Sequence, residues 1–132
     1  MKSITVFVNS ASPTYQNRFD ISIVHGDTWG GLAVTLTLDG APVNLTGASL
    51  HFQARQSYYE TPVLDLSTTA GTIVLTTPTA GQFTILAVPF ASFATNTQPG
   101  DYAYDLEFTL ADGSVWTYLF GTLTITTDVT HV

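Results

Sequence analysis

The sequence contains no cysteine and only three basic residues, which narrows both its covalent chemistry and its range of partners. Without cysteine, the fold cannot use disulfide bonds or thiolate chemistry and must rely on packing alone. The basic residues are Lys2, Arg18 and Arg55, and they form no stripe that could follow a phosphate backbone. The net charge is −7, so we expect no nucleic acid among the partners.

Long apolar runs are also missing from the chain. No stretch approaches the roughly 20 apolar residues of a transmembrane helix, so no membrane contact is expected. The amino-terminal run MKSITVFVNS is too short and too polar for the hydrophobic region of a signal peptide. These features predict a protein that is not secreted through a signal peptide. We expect it to be made and used in a cytoplasm, or built into a particle assembled there.

Charge of either sign is scarce. Charged residues make up 10% of the chain, against about 25% in ordinary soluble domains. Threonine and serine take the place of lysine and glutamate at the predicted outward strand positions. Because charge keeps soluble proteins apart, a neutral surface suits a chain that neighbours cover in an assembly. The alternative is a threonine-rich β-protein that is soluble enough by itself.

Periodic patterns predict the fold class. Hydrophobic residues make up 45% of the 132 residues, which is enough for the core of one domain. Apolar and polar residues alternate with period two in many short segments, most clearly in 32–38 and 102–110. Turn residues recur every eight to twelve residues, so we predict eight or nine strands. Only 89–94 suggests a turn of helix.

This pattern predicts an all-β fold, in the form of an antiparallel two-sheet immunoglobulin-like β-sandwich. A barrel is the alternative, because strand order alone does not separate the two. We expect a single domain over residues 1–132. Within it, residues 1–18 are expected to form an amino-terminal arm or an edge strand.

The segment 99–130 predicts a long β-hairpin around Asp112-Gly113. A two-residue loop there would pair Leu110 with Val115, Phe108 with Thr117, Leu106 with Leu119 and Tyr104 with Gly121. In this register the other face carries an aromatic stripe beside two carboxylates: Trp116, Tyr118, Phe120, Asp105 and Glu107. A three-residue loop with a bulge is the alternative, and it would turn the aromatic residues inward.

No group of residues predicts catalysis or metal binding. The histidines, His25, His51 and His131, fall in separate segments without the spacing of metal ligands. Asp105 and Glu107 share one strand face and suggest the carboxylate pair of a glycosidase, but two neighbouring carboxylates on a strand are far more often a solvated face. They can equally contact a basic group of a partner. We therefore expect no enzyme activity, no metal and no cofactor.

Aromatic residues are the better candidates for function. Besides the stripe on the hairpin, Trp29 lies next to the double glycine Gly30-Gly31. Exposed aromatic residues mark protein contacts or platforms that stack on sugars. The alternative is that both faces of the hairpin are covered within the domain. The candidate interaction surface is the set Trp29, Asp105, Glu107, Trp116, Tyr118 and Phe120.

Several motifs occur in an order that resembles a known family. Gly26-Asp27 precedes a strand, Asp39-Gly40 forms a turn, and PVNLTGA at 42–48 precedes a strand that ends in QAR at 53–55. The second half contributes AGQF at 80–83, PGDYAYDL at 99–106, DG at 112–113, Gly121 and VT at 129–130. This order, over roughly residues 19–130, resembles small domains of tailed-phage structural proteins. Those domains are the baseplate upper proteins and the amino-terminal domains of tail-fibre proteins.

The resemblance implies an immunoglobulin-like sandwich and a role in a virion, and it brings no catalytic residues. In longer relatives a receptor-binding or fibre portion follows this module, whereas this sequence ends at Val132. We therefore expect an adaptor that joins a tail, baseplate or collar to another part, rather than a receptor-binding protein.

Two functions follow as hypotheses. The first is a structural virion protein that contacts other virion proteins and forms a homo-oligomer in the assembly. The second is a carbohydrate-binding module in which Trp29 or Trp116 stacks on cell-surface glycans.

Overall fold

The computed structural model describes residues 1–9, 17–57 and 60–129 of the chain. Within these ranges it contains eleven strands and two short 3₁₀ turns. The strands are β1 (Lys2–Val8), β2 (Asn17–Arg18), β3 (Ile21–Val24), β4 (Leu32–Leu38), β5 (Ala41–Pro42), β6 (Ser49–Arg55), β7 (Leu64–Ser67), β8 (Ile73–Thr77), β9 (Gln82–Ile85), β10 (Gly100–Thr109) and β11 (Val115–Thr126). The 3₁₀ turns are Pro78–Ala80 and Phe90–Ser92.

The prediction of an all-β fold is confirmed, and the turn of helix expected at 89–94 is the second 3₁₀ turn. Phe90 of this turn stacks on Phe93, the residue directly after it, with ring centroids 5.0 Å apart. None of the helices in the described ranges has the length and apolar character needed to cross a membrane.

The strands form two mixed sheets. The first has the order β1-β4-β9-β8, with β5 also paired to β4. The second has the order β2-β11-β10-β6-β7, with β3 also paired to β11. The prediction of two sheets is confirmed, and the arrangement is consistent with a β-sandwich.

The prediction of purely antiparallel sheets is wrong. β1 runs parallel to β4, and both β2 and β3 run parallel to β11. Parallel neighbours cannot be joined by a tight hairpin, so they need a long connection between them. Here the chain passes through β2 and β3 of the second sheet before it returns as β4, and almost the whole chain separates β3 from β11.

One core lies between the two sheets. Each long strand alternates between buried and more exposed positions, and the buried side chains of both sheets belong to a single cluster. Phe83 of β9 meets Phe108 of β10 edge to face, with centroids 5.5 Å apart. Phe52 of β6 packs against Trp29 at 6.1 Å, and Leu36 of β4 is fully buried. Core contacts of this kind fix which face of each sheet turns outward.

The hairpin between β10 and β11 departs from the predicted register at its closed end. Leu106 pairs with Leu119 and Tyr104 pairs with Gly121, as predicted. The predicted pairs Leu110–Val115 and Phe108–Thr117 are wrong, because Phe108 pairs with Trp116. The cause is a three-residue loop, 111–113, in which the Leu110 N–H donates to the Ser114 carbonyl at 2.8 Å. Gly113 takes a φ of 86°, a left-handed conformation that suits glycine.

A second irregularity restores the predicted register further along the hairpin. Between Leu106 and Glu107 the pairing skips Tyr118, so β11 contains one extra residue there. Tyr118 is 3% exposed and packs on Phe108 at 5.1 Å. Trp116, opposite Phe108, packs against the core, whereas Phe120 lies beyond the bulge on the outer face. The predicted stripe of Trp116, Tyr118 and Phe120 on one face is therefore wrong.

Candidate interaction site on the outer face of the second sheet

The structure separates the six predicted surface residues into two groups. Trp29 is 9% exposed and Tyr118 is likewise buried, so both belong to the core. Trp116 is half-buried against that core. The other group consists of Asp105, Glu107 and Phe120, which lie on the outer face of the second sheet. The interaction role assigned to these residues from the sequence stays a prediction.

The outer group lies in a groove of about 670 Å³. Its floor is the methyl side chain of Ala103, an outward residue near the start of β10. Ala103 pairs with Thr122 of β11 on one side and with Arg55 of β6 on the other. Because alanine is short and its neighbours are longer, the sheet surface forms a depression between them.

Arg18 forms one wall of the groove. It belongs to the two-residue strand β2, which pairs with β11 at Phe120. Its guanidinium lies 5.8 Å from the centre of the Phe120 ring, close enough for a cation–π contact. Its Nη2 donates to Thr122 Oγ1 at 2.8 Å, and its Nε lies 3.1 Å from Asp20 Oδ1. Three contacts thus hold an exposed arginine in one place.

Arg55 forms the opposite wall and is held by its neighbours on β6 and the following loop. Its Nη2 donates to Gln53 Oε1 at 2.7 Å, and its Nη1 donates to the Glu60 carbonyl at 2.5 Å. Gln53 in turn donates to Asp65 Oδ2 at 2.9 Å. Asp65 also contacts His51 Nε2 at 2.7 Å. The hydrogen bonds form one chain across the outer face of β6 and β7.

Two carboxylates complete the groove. Asp105 lies in register with Phe120 and Gln53, and Glu107 lies in register with Thr117 and His51. The groove therefore combines two carboxylates with two of the three basic residues of the chain. Charges of both signs, fixed within one concave surface, favour recognition of a complementary polar partner.

Polar contacts fasten the segment between β2 and β3 to β10 and β11. The Asp20 carboxylate accepts a hydrogen bond from the Thr122 N–H at 2.9 Å, which, with Arg18 nearby, holds the pKa of Asp20 below its usual value. Tyr104 donates its hydroxyl to the Phe19 carbonyl. Burial raises the pKa of Tyr104 far above that of a free phenol, so its hydroxyl stays protonated and remains a donor.

The histidines are used in local contacts. His25 Nε2 lies 3.0 Å from the Thr97 carbonyl, and its ring packs on Phe90 at 4.6 Å. His51 contacts Asp65, as described above, and His131 lies outside the described residues. In the part of the chain that the structure describes, no group of three or more His, Cys, Asp or Glu residues could hold a metal ion.

Sequence patterns predicted Asp105, Glu107 and Phe120 as interaction residues. They did not indicate Arg18, Gln53 and Arg55, which the structure adds to the groove. Alternation along β6 does place Gln53 and Arg55 on one side of their strand. Their proximity to Arg18 depends on the parallel pairing of β2 with β11, which joins residues about a hundred positions apart. No local pattern indicates that pairing.

Comparison with known proteins gives a fold relationship. No protein-family model matches the sequence, and no curated protein matches it either. Among solved structures, the chain is similar to the N-terminal domain of phage TP901-1 ORF48, with a TM-score of 0.53. The two share 13% sequence identity, and the match covers 95% of this chain and 98% of that one. At this identity, the similarity shows a common fold.

Proposed function

We propose that this chain is a structural component of a phage virion and acts through protein–protein contacts, as an adaptor in a tail, baseplate, collar or fibre attachment. The carrying observation is a fold likeness to a phage protein domain over almost the full length of both chains. The motif order that resembles baseplate and tail-fibre domains supports the same role independently. The proposed location is the virion, where the partners are other virion proteins and further copies of this chain.

The proposal includes an immunoglobulin-like sandwich. The first sheet, β1-β4-β9-β8, has the strand order A-B-E-D of that fold. In the second sheet, β11-β10-β6-β7 corresponds to G-F-C-C′. β1 differs, because it runs parallel to β4 instead of antiparallel. The strand order supports the immunoglobulin-like relationship, and β1 is a local departure from it.

We propose that the groove on the second sheet contacts a neighbouring virion protein. Arg18 and Arg55 on its walls, with Asp105 and Glu107 beside them, present fixed charges to which a partner can be complementary. Complementary charge contributes more to selectivity and association rate than to bulk affinity. A contact of this kind would select one partner among many similar β-proteins in a particle.

A charge reversal in phage particles tests this role. A phage that lacks the native copy would receive wild-type chain, Arg55→Glu, or Asp27→Lys as a matched control at an exposed loop residue. Mass spectrometry of purified virions would measure incorporation. We expect wild type and the control to be incorporated alike, and Arg55→Glu to fall at least tenfold, a change of about 1.4 kcal/mol.

The outcomes separate the parts of this proposal. If wild-type chain is missing from purified virions, the structural role is refuted. If wild type is present and Arg55→Glu is incorporated normally, the groove is not the contact surface, although the virion role stands.

Carbohydrate binding is the second candidate, with a changed set of residues. Trp29 is buried in the core, so it cannot stack on a sugar in this structure. Phe120 replaces it as the aromatic candidate, because it lies in a groove with Asp105 and Gln53, whose polar atoms suit sugar hydroxyls. A glycan array would measure binding, with Phe120→Ala as the test and Val115→Ala as the control on the same strand. Failure of wild type to bind any glycan would remove this candidate.

We also propose that the role is not enzymatic. The carboxylates of the groove lie among hydrogen-bonded arginine and glutamine side chains, and two of the histidines serve local structural contacts. A contact surface accounts for each of these groups without a reaction.

A further inference from the structure

No charged side chain lies at the outward positions of the first sheet's strands, all of which belong to the described part of the chain. The outward positions of β1, β4, β8 and β9 follow from the alternation of burial along each strand. Half of them are threonine, namely Thr5, Thr35, Thr37, Thr76 and Thr84. The single charged residue in these four strands is Lys2, and its ammonium group turns toward the second sheet, 5.1 Å from the centre of the Phe19 ring.

This face also carries much of the exposed apolar surface. Phe7 at the end of β1 is 67% exposed, and Val74 of β8 is 40% exposed. Leu86, directly after β9, is 41% exposed and continues the outward alternation of that strand. Together with Met1, these are four of the seven large hydrophobic residues that are exposed in the described part of the chain. Exposed apolar side chains on an uncharged face mark a candidate interaction surface.

The side chains in the centre of this face, apart from Gln82, are short and arranged in rows. Cross-strand pairing aligns Ser3 with Ala33 and Ala33 with Thr84, across three adjacent strands. The next row joins Thr5, Thr35 and Gln82. Sheets that stack face to face lie about 10 Å apart, a distance that short, interlocking side chains can fill. The face therefore has the shape needed to pack against another sheet.

We infer that this face packs against the same face of a second copy of the chain. Each copy has a net charge of −7, so two copies repel wherever their acidic surfaces meet. If two copies meet through the outer face of the first sheet, no charged side chains of the same sign face each other. A basic partner would gain more from the acidic surfaces elsewhere on the chain. A two-fold contact would place Thr35, at the centre of the face, near Thr35 of the second copy.

Because the chain has no cysteine, single-cysteine cross-linking tests this inference directly. Thr35→Cys probes the face, and Thr109→Cys is the control, since Thr109 is an equally half-buried threonine in a strand of the second sheet. Both the purified chain and assembled particles would be treated with a short bis-maleimide. We expect covalent homodimers from Thr35→Cys and only monomers from Thr109→Cys.

Sedimentation of the purified chain provides the matching equilibrium measurement. We expect wild type to self-associate between micromolar and millimolar concentration, and Thr35→Arg to weaken that association at least tenfold. Thr109→Arg should leave it within twofold, and thermal unfolding would verify that both variants are folded.

Three results would overturn the inference. The first is cross-linking of Thr35→Cys only to a different protein in the particle. The second is wild-type self-association that Thr35→Arg does not change. The third is the absence of self-association at any concentration, together with no homodimer in particles. The inference rests on the proposed virion role and adds a second contact surface to it. Because Arg55 lies in the groove, Arg55→Glu should leave the homodimer cross-link intact. The groove proposal and the homodimer proposal can therefore fail separately.

Discussion

The inner faces of the two sheets are both apolar, whereas their outer faces differ in charge. The strands of the first sheet contain one charged residue, Lys2, which does not point outward. The strands of the second sheet contain six: Arg18, Arg55, Asp65, Asp101, Asp105 and Glu107. The core requires the same apolar pattern from both sheets, so this difference lies in the surface each sheet presents to its surroundings.

Folding and surface character therefore depend on different positions of the same strands. Inward residues such as Leu36 and Leu106 are fully buried and serve the shared core. Outward residues are free to differ, because they add little to that core. The neutral face suits close packing of sheet on sheet, whereas the charged groove suits a selective contact with a complementary partner.

The largest expected effect is the loss of stability when a core residue of either sheet is truncated, which tests whether both inner faces contribute equally. Phe83 of the first sheet and Phe52 of the second are both fully buried. Replacing either with alanine should lower the free energy of unfolding by about 3–5 kcal/mol, through lost transfer energy and a cavity. Urea denaturation would measure both variants. A much smaller cost for Phe83→Ala would show that the first sheet is not an equal part of the core.

A smaller loss of stability is expected from a substitution in the second sheet, where β2 and β3 pair with β11. A Cβ atom at Gly121 would lie 2.2 Å from the Phe19 carbonyl oxygen, so alanine there must displace the backbone near Asp20. We expect Gly121→Ala to cost roughly 1–3 kcal/mol of stability. Gly30→Ala is the control, because an added Cβ meets no atom within 4 Å there. Equal stability of the two variants would mean that the Phe19 contact is easily displaced.

The same region shows what the sequence could predict about the fold. The strands could be predicted because apolar–polar alternation is a local pattern, as in Leu32–Leu38. The pairing at the open end of the hairpin could be predicted because both of its strands are long. The closed end was not readable, because Asp112-Gly113 fits both a two-residue and a three-residue loop. The bulge at Tyr118 then compensates for the extra loop residue. The longer loop and the bulge were both missed, but they offset each other, so the predicted pairing of Leu106 with Leu119 is correct.

The candidate site was predictable only in part for a related reason. Local alternation places Asp105 and Glu107 on the outer face without further information. Trp116 was placed on the wrong side because the loop has three residues instead of two, and the bulge then returns Phe120 to the outer face. Arg18 joins the groove through a parallel contact of only two residue pairs. Short, long-range pairings of this kind leave no periodic pattern in the sequence.

The smallest expected effect concerns acid stability and involves two carboxylates that are hydrogen-bonded to residues in or next to β11. Hydrogen bonds from Thr122 and Arg18 lower the pKa of Asp20, and those from the Ser114 hydroxyl and N–H lower the pKa of Asp112. A carboxyl group whose pKa is lower in the folded state stabilises the fold above its unfolded pKa, near 3.9, and loses that contribution as the pH falls through the folded value. Below about pH 4, wild type should therefore lose stability more steeply than Asp20→Asn/Asp112→Asn.

Urea denaturation between neutral pH and pH 2 would measure this difference as the gap between the two stability curves. Asparagine keeps an oxygen acceptor for the Thr122 and Ser114 N–H groups, so the variant removes the titration and retains the hydrogen-bond geometry. The gap should be constant near neutral pH and should narrow as the acid limit is approached. The strands of the first sheet contain no acidic residue. Parallel curves for the two proteins would show that Asp20 and Asp112 do not contribute to acid stability, and that the contrast between the sheets does not extend to these carboxylates.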